Sequence, residues 1–114
     1  MIDNELEILE RYYGYMLQHT SGYVCPGWIT LIRSMLSEIK EQHMEDETDG
    51  PIFTDIKEKY GTLRVYGYNI SDYEQSIIDR YSKLSAVTCS ACGKLGQLQE
   101  KNGWRFVACD EHKN

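Results

Sequence analysis

The chain has 114 residues, of which 41% are hydrophobic and 26% are charged, with a formal net charge of −6. This length suffices for one domain that buries roughly two thirds of the surface of its unfolded chain. No apolar stretch reaches the length of about 18 residues that a membrane span needs, and the acidic start, Met1 to Glu5, predicts no secretion signal. We therefore expect a single cytoplasmic domain over residues 1–114.

The charge is unevenly placed. Residues 1–50 carry ten acidic and three basic side chains, a net of −7, whereas residues 51–114 carry eight acidic and nine basic side chains, a net of +1. Overall acidity argues against non-specific binding to phosphate backbones, where Lys and Arg supply most of the affinity. The nearly neutral second half still allows a local basic patch.

Two amphipathic helices are expected in the N-terminal half. Apolar residues at alternating spacings of four and three predict a helix over residues 4–18. A loop over residues 19–25 follows, and Pro26 suits the first turn of a second helix over residues 27–44. The apolar stripe of this second helix consists of Trp28, Ile32, Met35 and Ile39.

An acidic run, residues 45–49, and the pair Gly50-Pro51 end the second helix, because acids at a helix C-terminus and a Gly-Pro pair both oppose its continuation. Such a run is most simply a solvated loop. The alternative interpretation is that the acidic edge at residues 41–49 attracts a basic partner surface.

Residues 52–69 predict a β-hairpin with its turn at Tyr60-Gly61-Thr62. One face then holds Ile56, Leu63 and Val65. The other face interleaves cations with aromatic rings: Phe53, Lys57, Lys59, Arg64, Tyr66 and Tyr68. That face could stack bases and contact phosphates, but tyrosines leaning on a helix beside solvated lysines give the same pattern. A register change of one residue would exchange the two faces.

A third helix is expected from residue 72 to about residue 86. Ser71 and Glu74 have the spacing of a capping box, in which each residue satisfies a backbone N–H of the other. The helix should lead the chain directly to Cys89.

The C-terminal quarter contains four residues with the spacing of zinc ligands. Two residues separate Cys89 from Cys92, and two residues likewise separate Cys109 from His112. Gly93 suits a knuckle that needs positive φ. Four such ligands with no open position predict one structural Zn²⁺ rather than a catalytic one. The alternative is a set of small buried cysteines beside a surface hairpin. Three cysteines committed to metal also fit a reducing cytosol.

Between the two ligand pairs, Asn102-Gly103 predicts a second hairpin. Knuckle, hairpin and final turn together resemble a treble-clef finger whose last helix is reduced to one turn, with a zinc ribbon as the alternative. The predicted fold class is therefore α+β: two N-terminal helices, a β-hairpin, a third helix and a C-terminal treble-clef or zinc-ribbon-like finger. We expect a body over residues 1–87 and a zinc-finger region over residues 88–114.

The chain also resembles a family of small, uncharacterised zinc-binding proteins from bacterial and phage genomes. The resemblance rests on Gly27-Trp28, on residues 56–66, and on the zinc block, whose matching pieces are Cys89-x-x-Cys92-Gly93, Gly103-Trp104 and Cys109-Asp110-Glu111-His112. It implies a bacterial or phage setting and supports the four zinc ligands. It implies no substrate and no catalytic residues.

The sequence favours binding over catalysis. His19 stands beside Thr20 and Ser21, but sequence adjacency is not the geometry of a nucleophile and its base. Cys25 lies in the acidic half, which does not favour a thiolate. The chain lacks the usual glycine-rich phosphate loops.

We therefore expect a non-enzymatic, zinc-stabilised protein-interaction module. In a phage or mobile element, such a module would modulate a host protein. The acidic half and nine tyrosines favour a protein partner that is basic or that handles nucleic acid. The alternative is a small zinc protein that binds single-stranded nucleic acid. The candidate binding residues are Lys57, Lys59, Arg64, Tyr66, Tyr68, Trp104 and Arg105.

Overall fold

The computed structural model describes residues 2–17 and 25–113, and for residues 2–8 it describes the backbone. Most of the predicted loop after the first helix, including His19, lies outside the described residues. The elements are α1 (Ile2–Leu17), a 3₁₀ turn (Pro26–Trp28), α2 (Ile29–Glu45), β1 (Ile52–Lys59), β2 (Thr62–Tyr68), α3 (Asp72–Ser85), β3 (Gln97–Lys101) and β4 (Trp104–Ala108). The α+β class, with three helices and two hairpins, is confirmed.

The helix limits follow the predicted signals closely. The first helix begins two residues earlier than expected and ends one residue earlier, which is within the usual uncertainty of helix ends. Pro26 opens the second helix through a 3₁₀ turn. The capping box of α3 is formed, with Glu74 N donating to Ser71 Oγ at 3.1 Å and Ser71 N donating to Glu74 Oε1 at 2.9 Å. No helix in the described ranges is long and apolar enough to cross a membrane.

The body is built around one hydrophobic core. α2 lies against α1 and α3, while β2 packs on α3 and β1 on α1. The largest fully buried side chains of this core include Trp28 and Phe53, both with no exposed surface. The members of the core come from α1, the 3₁₀ turn, α2, the first hairpin and α3. Among the residues that the structure describes, the buried members of this core end at Tyr81 and so belong to the body rather than to the zinc-finger region.

The first hairpin has the expected turn but not all of the expected faces. β1 and β2 pair antiparallel with Ile56 opposite Val65 and Lys57 opposite Arg64, so these two pairs face opposite sides. The register shifts between Phe53 and Asp55. This bulge inserts one residue, so the side chain of Phe53 turns inward and is fully buried. The prediction that Phe53 belongs to the outer, cationic face is therefore wrong.

Both hairpins turn on a two-residue loop with positive φ at both positions. The angles are 55° at Tyr60 and 84° at Gly61, and 53° at Asn102 and 84° at Gly103. This is the type I′ turn, whose twist matches that of the flanking strands. The Asn102-Gly103 prediction is confirmed, and the first turn places the ring of Tyr60 at the tip of the hairpin.

The zinc-finger region is joined to the body through a glycine-lined backbone contact. Gly27 N donates to Ser90 O at 2.8 Å, and Trp28 Nε1 donates to Thr88 O at 2.9 Å. A Cβ added at Gly27 would lie 2.1 Å from Cys89 O, and one added at Gly93 would lie 2.9 Å from Gly27 O. The two segments approach this closely because neither glycine carries a side chain.

Gly27→Ala should loosen this contact. The added Cβ meets backbone atoms, which cannot move aside as a side chain can, so we expect a loss of about 1–3 kcal/mol in the free energy of unfolding. Urea denaturation of the metal-loaded protein measures it. Gly14→Ala is the matched control: Gly14 is helical with no atom within 4 Å of the added Cβ, so stability should rise slightly. Equal stability of Gly27→Ala and the unmodified protein would contradict the account.

Candidate metal centre and adjoining cleft

The four predicted ligands meet at one point. One donor atom from each of Cys89, Cys92, Cys109 and His112 lies within 4.8 Å of every other. Cys92 Sγ lies 3.7 Å from Cys109 Sγ, and His112 Nδ1 lies 3.1 Å from Cys109 Sγ and 3.8 Å from Cys89 Sγ. These four residues are therefore a Cys₃His group able to hold one metal ion.

These distances fit tetrahedral coordination. Zn–S bonds of about 2.3 Å and Zn–N bonds of about 2.0–2.1 Å place two sulfurs about 3.8 Å apart and a sulfur and a nitrogen about 3.6 Å apart. The observed separations of 3.7, 3.8 and 3.1 Å lie around these values. Three thiols and an imidazole are a donor set that suits Zn²⁺ far better than Mg²⁺ or Ca²⁺.

Local backbone bonds prepare each ligand pair. In the knuckle, Gly93 N donates to Cys89 O at 2.8 Å, and Cys89 N donates to Lys94 O at 2.7 Å. Gly93 has the positive φ, 84°, that its position after Cys92 predicted. In the final turn, His112 N donates to Cys109 O at 3.1 Å, which brings the side chains of these two residues to the same side.

The second hairpin carries one ligand pair to the other. β3 and β4 pair antiparallel from Gln97 opposite Ala108 to Lys101 opposite Trp104. Ser90 N of the knuckle donates to Val107 O at 2.8 Å, so the knuckle lies directly beside β4. Cys109 follows β4 immediately, and the return of the chain therefore places it beside the first pair.

Backbone dipoles favour a thiolate at one position of the site. Burial of Cys89 opposes its thiolate, but the N–H groups of Cys109, Cys92 and Ala91 together outweigh it and lower the pKa of Cys89 to about 6. At Cys92 the N–H of Lys94 favours the thiolate, yet desolvation and the neighbouring Cys89 and Cys109 raise its pKa overall. Close thiols cannot all ionise together without a cation between them, as a metal ion would provide.

A small core of its own surrounds the metal group. Cys89, Ala108 and Cys109 are buried there, with Phe106 partly buried against them. This core holds three buried residues, in contrast to the large core of the body. A two-stranded hairpin with so little apolar burial is marginal in water, so the metal would supply much of the stability of this region.

The tips of the two hairpins border an open cleft of about 500 Å³. One wall comes from the first hairpin, with Lys59 and Tyr60, and the other from the second hairpin, with Trp104 and Arg105. Tyr60 is 66% exposed and Trp104 is 74% exposed. An added Cβ at Gly61 would lie 2.7 Å from Leu98 Cδ1, so the hairpins are in close contact below the cleft.

The structure divides the predicted binding residues between two surfaces. Lys59, Trp104 and Arg105 border the cleft. Lys57, Arg64 and Tyr66 instead lie on the outer face of the first hairpin, with Lys57 Nζ 6.0 Å from the centroid of the Tyr66 ring. Tyr68, opposite Ile52 at the far end of β2, is 53% exposed and does not line the cleft.

Sequence reasoning missed Tyr60 as a site residue. Its position in a turn was predicted, but its proximity to Trp104 depends on how the two hairpins pack, for which the sequence carries no local signal.

A second missed feature is a polar cluster inside the body. Tyr15 Oη lies 2.6 Å from His43 Nε2, and His43 Nδ1 lies 3.9 Å from Glu74 Oε2, both side chains of this last pair being buried.

Cys25 is placed where a thiolate is disfavoured. Its side chain is buried, and desolvation, together with the negative charge of Glu58, raises the pKa of this thiol to about 11. At neutral pH about one molecule in ten thousand would then carry a Cys25 thiolate, which is the form that acts as a nucleophile.

The comparisons with known proteins add no relative: no family model, curated protein or solved structure matches the chain. What is established is therefore the geometry of the chain's own residues: a Cys₃His group at one end of the second hairpin and an open cleft at its tip.

Cys92→Ser and Cys109→Ser should each release the metal. A serine hydroxyl is a much poorer zinc ligand than a thiolate, so zinc per chain, measured by native mass spectrometry after zinc-loaded purification, should fall from one to nearly zero. Amide hydrogen exchange should then quicken across β3 and β4 while α2 and α3 remain protected. Cys25→Ser is the control and should keep its zinc. One zinc per chain in both ligand variants would show the ligand assignment to be wrong.

Proposed function

We propose that the chain is a non-enzymatic, zinc-stabilised protein-interaction module of the cytoplasm. Its resemblance to small zinc-binding proteins of bacteria and phages supports such a setting, in which it would modulate a host protein. The zinc has a structural role in this proposal, because the site offers four protein donors and no position for a substrate. It holds the second hairpin, and with it one wall of the cleft, in place.

The observation that carries the proposal is the grouping of Tyr60, Trp104 and Arg105 around one cleft. Trp, Tyr and Arg are the residue types most enriched at the energetic centres of protein interfaces. Isolated exposed apolar residues are common and need no partner. Two largely exposed aromatic rings beside one cleft are, in contrast, unusual for a surface that binds no partner. Their rigid rings lose little side-chain entropy on binding.

Catalysis finds little support among the described residues. The raised pKa of Cys25 removes the most obvious nucleophile. His43, the histidine outside the metal group that the structure describes, is 3% exposed and is enclosed by Tyr15, Glu74 and Gly50. An imidazole buried to this extent is poorly placed to reach a substrate.

Trp104→Ala should strongly weaken binding of the partner without unfolding the protein. The ring is 74% exposed, so stability should change by no more than about 0.5 kcal/mol. Loss of a central aromatic anchor costs about 2 kcal/mol or more, a fall in affinity of roughly thirtyfold. Crosslinking pull-down from a bacterial lysate, with partners identified and quantified by mass spectrometry, measures this.

Tyr73→Ala is the matched control, since Tyr73 is 56% exposed on α3 and lies outside the cleft. We expect a stoichiometric partner with the unmodified chain and with Tyr73→Ala, and its loss with Trp104→Ala. Recovery of no protein under gentle conditions, or equal recovery with all three chains, would count decisively against the proposal.

A second candidate function is binding of single-stranded nucleic acid. It is favoured by the outer face of the first hairpin, where Lys57 and Arg64 stand opposite each other and Lys57 Nζ approaches the Tyr66 ring. Cations beside an exposed aromatic ring are the elements that such sites use for phosphates and bases.

This candidate makes a distinct prediction. A fluorescent 20-nucleotide single strand should bind at about 50 mM salt, with an affinity that falls steeply as salt is raised, because counterions are released from the phosphates. Arg64→Ala should weaken this binding, whereas Trp104→Ala should affect it less, since the two residues lie on different surfaces. A flat fluorescence-anisotropy titration with DNA and RNA strands would remove this candidate.

A further inference from the structure

The cleft at the hairpin tips continues into a second one. The neighbouring cleft, of about 410 Å³, shares Glu58, Trp104 and Arg105 with the first and extends to Cys25, Pro26 and the knuckle residues Ser90 and Ala91. Because they share these three residues, the two clefts adjoin along the seam between the body and the zinc-finger region; we call the pair the seam groove. Trp104 and Arg105 line both clefts.

The two ends of the seam groove differ in chemistry. The end at the hairpin tips is bordered by Lys59 and Arg105, both exposed. The guanidinium of Arg105 is 54% exposed and its nearest ion-pair partner, Glu100, is 4.0 Å away, at the limit of such a contact. Because a rim pair this long and this exposed is weak, Arg105 is available to a carboxylate from another molecule.

The other end of the seam groove is apolar. Pro26, Ala91 and Val107 line it, with the edge of Trp28 beneath. Glu58, the carboxylate of the groove, accepts a bond from Gly61 N at 3.3 Å and so is held by the turn of the first hairpin. A ligand that follows the whole groove therefore meets cations at one end and an apolar surface at the other.

On the proposed protein-interaction function we build one further step: we propose that the seam groove binds an extended acidic segment of the partner protein, with a large apolar side chain in the apolar end and carboxylates beside Lys59 and Arg105. Clefts of about 410 and 500 Å³ accommodate side chains of an extended strand.

Charge distinguishes this occupant from a nucleic acid strand. A polynucleotide needs a track of cations along its whole backbone, but the seam groove has cations at one end and the carboxylate of Glu58 between its halves. A second copy of this chain offers its own acidic run, residues 45–49, as a rival occupant. In each chain that run follows the C-terminal end of α2, whereas the groove lies beside Pro26, just before the start of α2. The 17 residues of this helix separate the acidic run from the groove by about 25 Å.

The probe is a phage-displayed library of random 12-residue peptides, selected on the zinc-loaded chain after depletion on Trp104→Ala. Selected peptides should share two or more acidic residues next to a large apolar residue. A synthetic selected peptide should shift amide signals of residues 59–61 and 102–107 in an NMR titration. Arg105→Glu should weaken it roughly tenfold or more, and replacing its acids with Lys should restore part of the loss, a charge swap that general misfolding cannot produce.

Several outcomes would overturn the inference: selected peptides that are basic or uncharged, signal shifts confined to other surfaces, or displacement of the peptide by a single-stranded oligonucleotide. Concentration-dependent self-association that is lost in a Glu45→Lys, Asp46→Lys double variant would show instead that a second copy occupies the groove. If the lysate experiment yields a Trp104-dependent partner but selection yields no acidic peptides, the inference fails while the proposed function stands. If the lysate experiment yields no partner at all, the proposed function itself fails.

Discussion

The contact between Gly27 and the metal knuckle is the constraint on which the rest of the structure depends. Two backbone segments, one opening α2 and one holding Cys89 and Gly93, lie so close that any side chain at Gly27 would overlap Cys89 O. Trp28, buried in the body core, donates its indole N–H across the same contact to Thr88 O. Gly27 and Trp28 thus join the apolar core to the segment that carries the metal group. The orientation of the second hairpin follows from this contact.

This arrangement separates two sources of stability. The body is held by burial of apolar side chains from three helices and a hairpin, a force that needs no ligand. The zinc-finger region has a small core of three buried residues and a short hairpin, and a metal ion held by its four converging ligand donors would supply much of its stability. The cleft between the hairpin tips takes one wall from each region. The cleft therefore depends on both sources of stability.

The first hairpin shows how a small irregularity changes a functional interpretation. Strict alternation along β1 would place Phe53 beside Lys57 on the outer face, whereas the bulge moves it into the core and leaves that face poorer in aromatic rings. Tyr60, in contrast, lies in a type I′ turn at the hairpin tip and lines the same cleft as Trp104. The candidate interface consequently moves from the flat face of the hairpin to its end.

The sequence by itself determined the local structure and the metal ligands. Capping at Ser71, the Asn102-Gly103 turn and the spacing of the Cys and His residues act over a few neighbouring positions, so they can be read without knowledge of the fold. Tertiary structure alone decided the bulge at Phe53, the approach of Gly27 to the knuckle and the position of Tyr60 and Trp104 on one cleft. These depend on contacts between segments more than 30 residues apart or on a register that alternation cannot reveal, because the packing of whole elements, rather than the preference of any one residue, selects them.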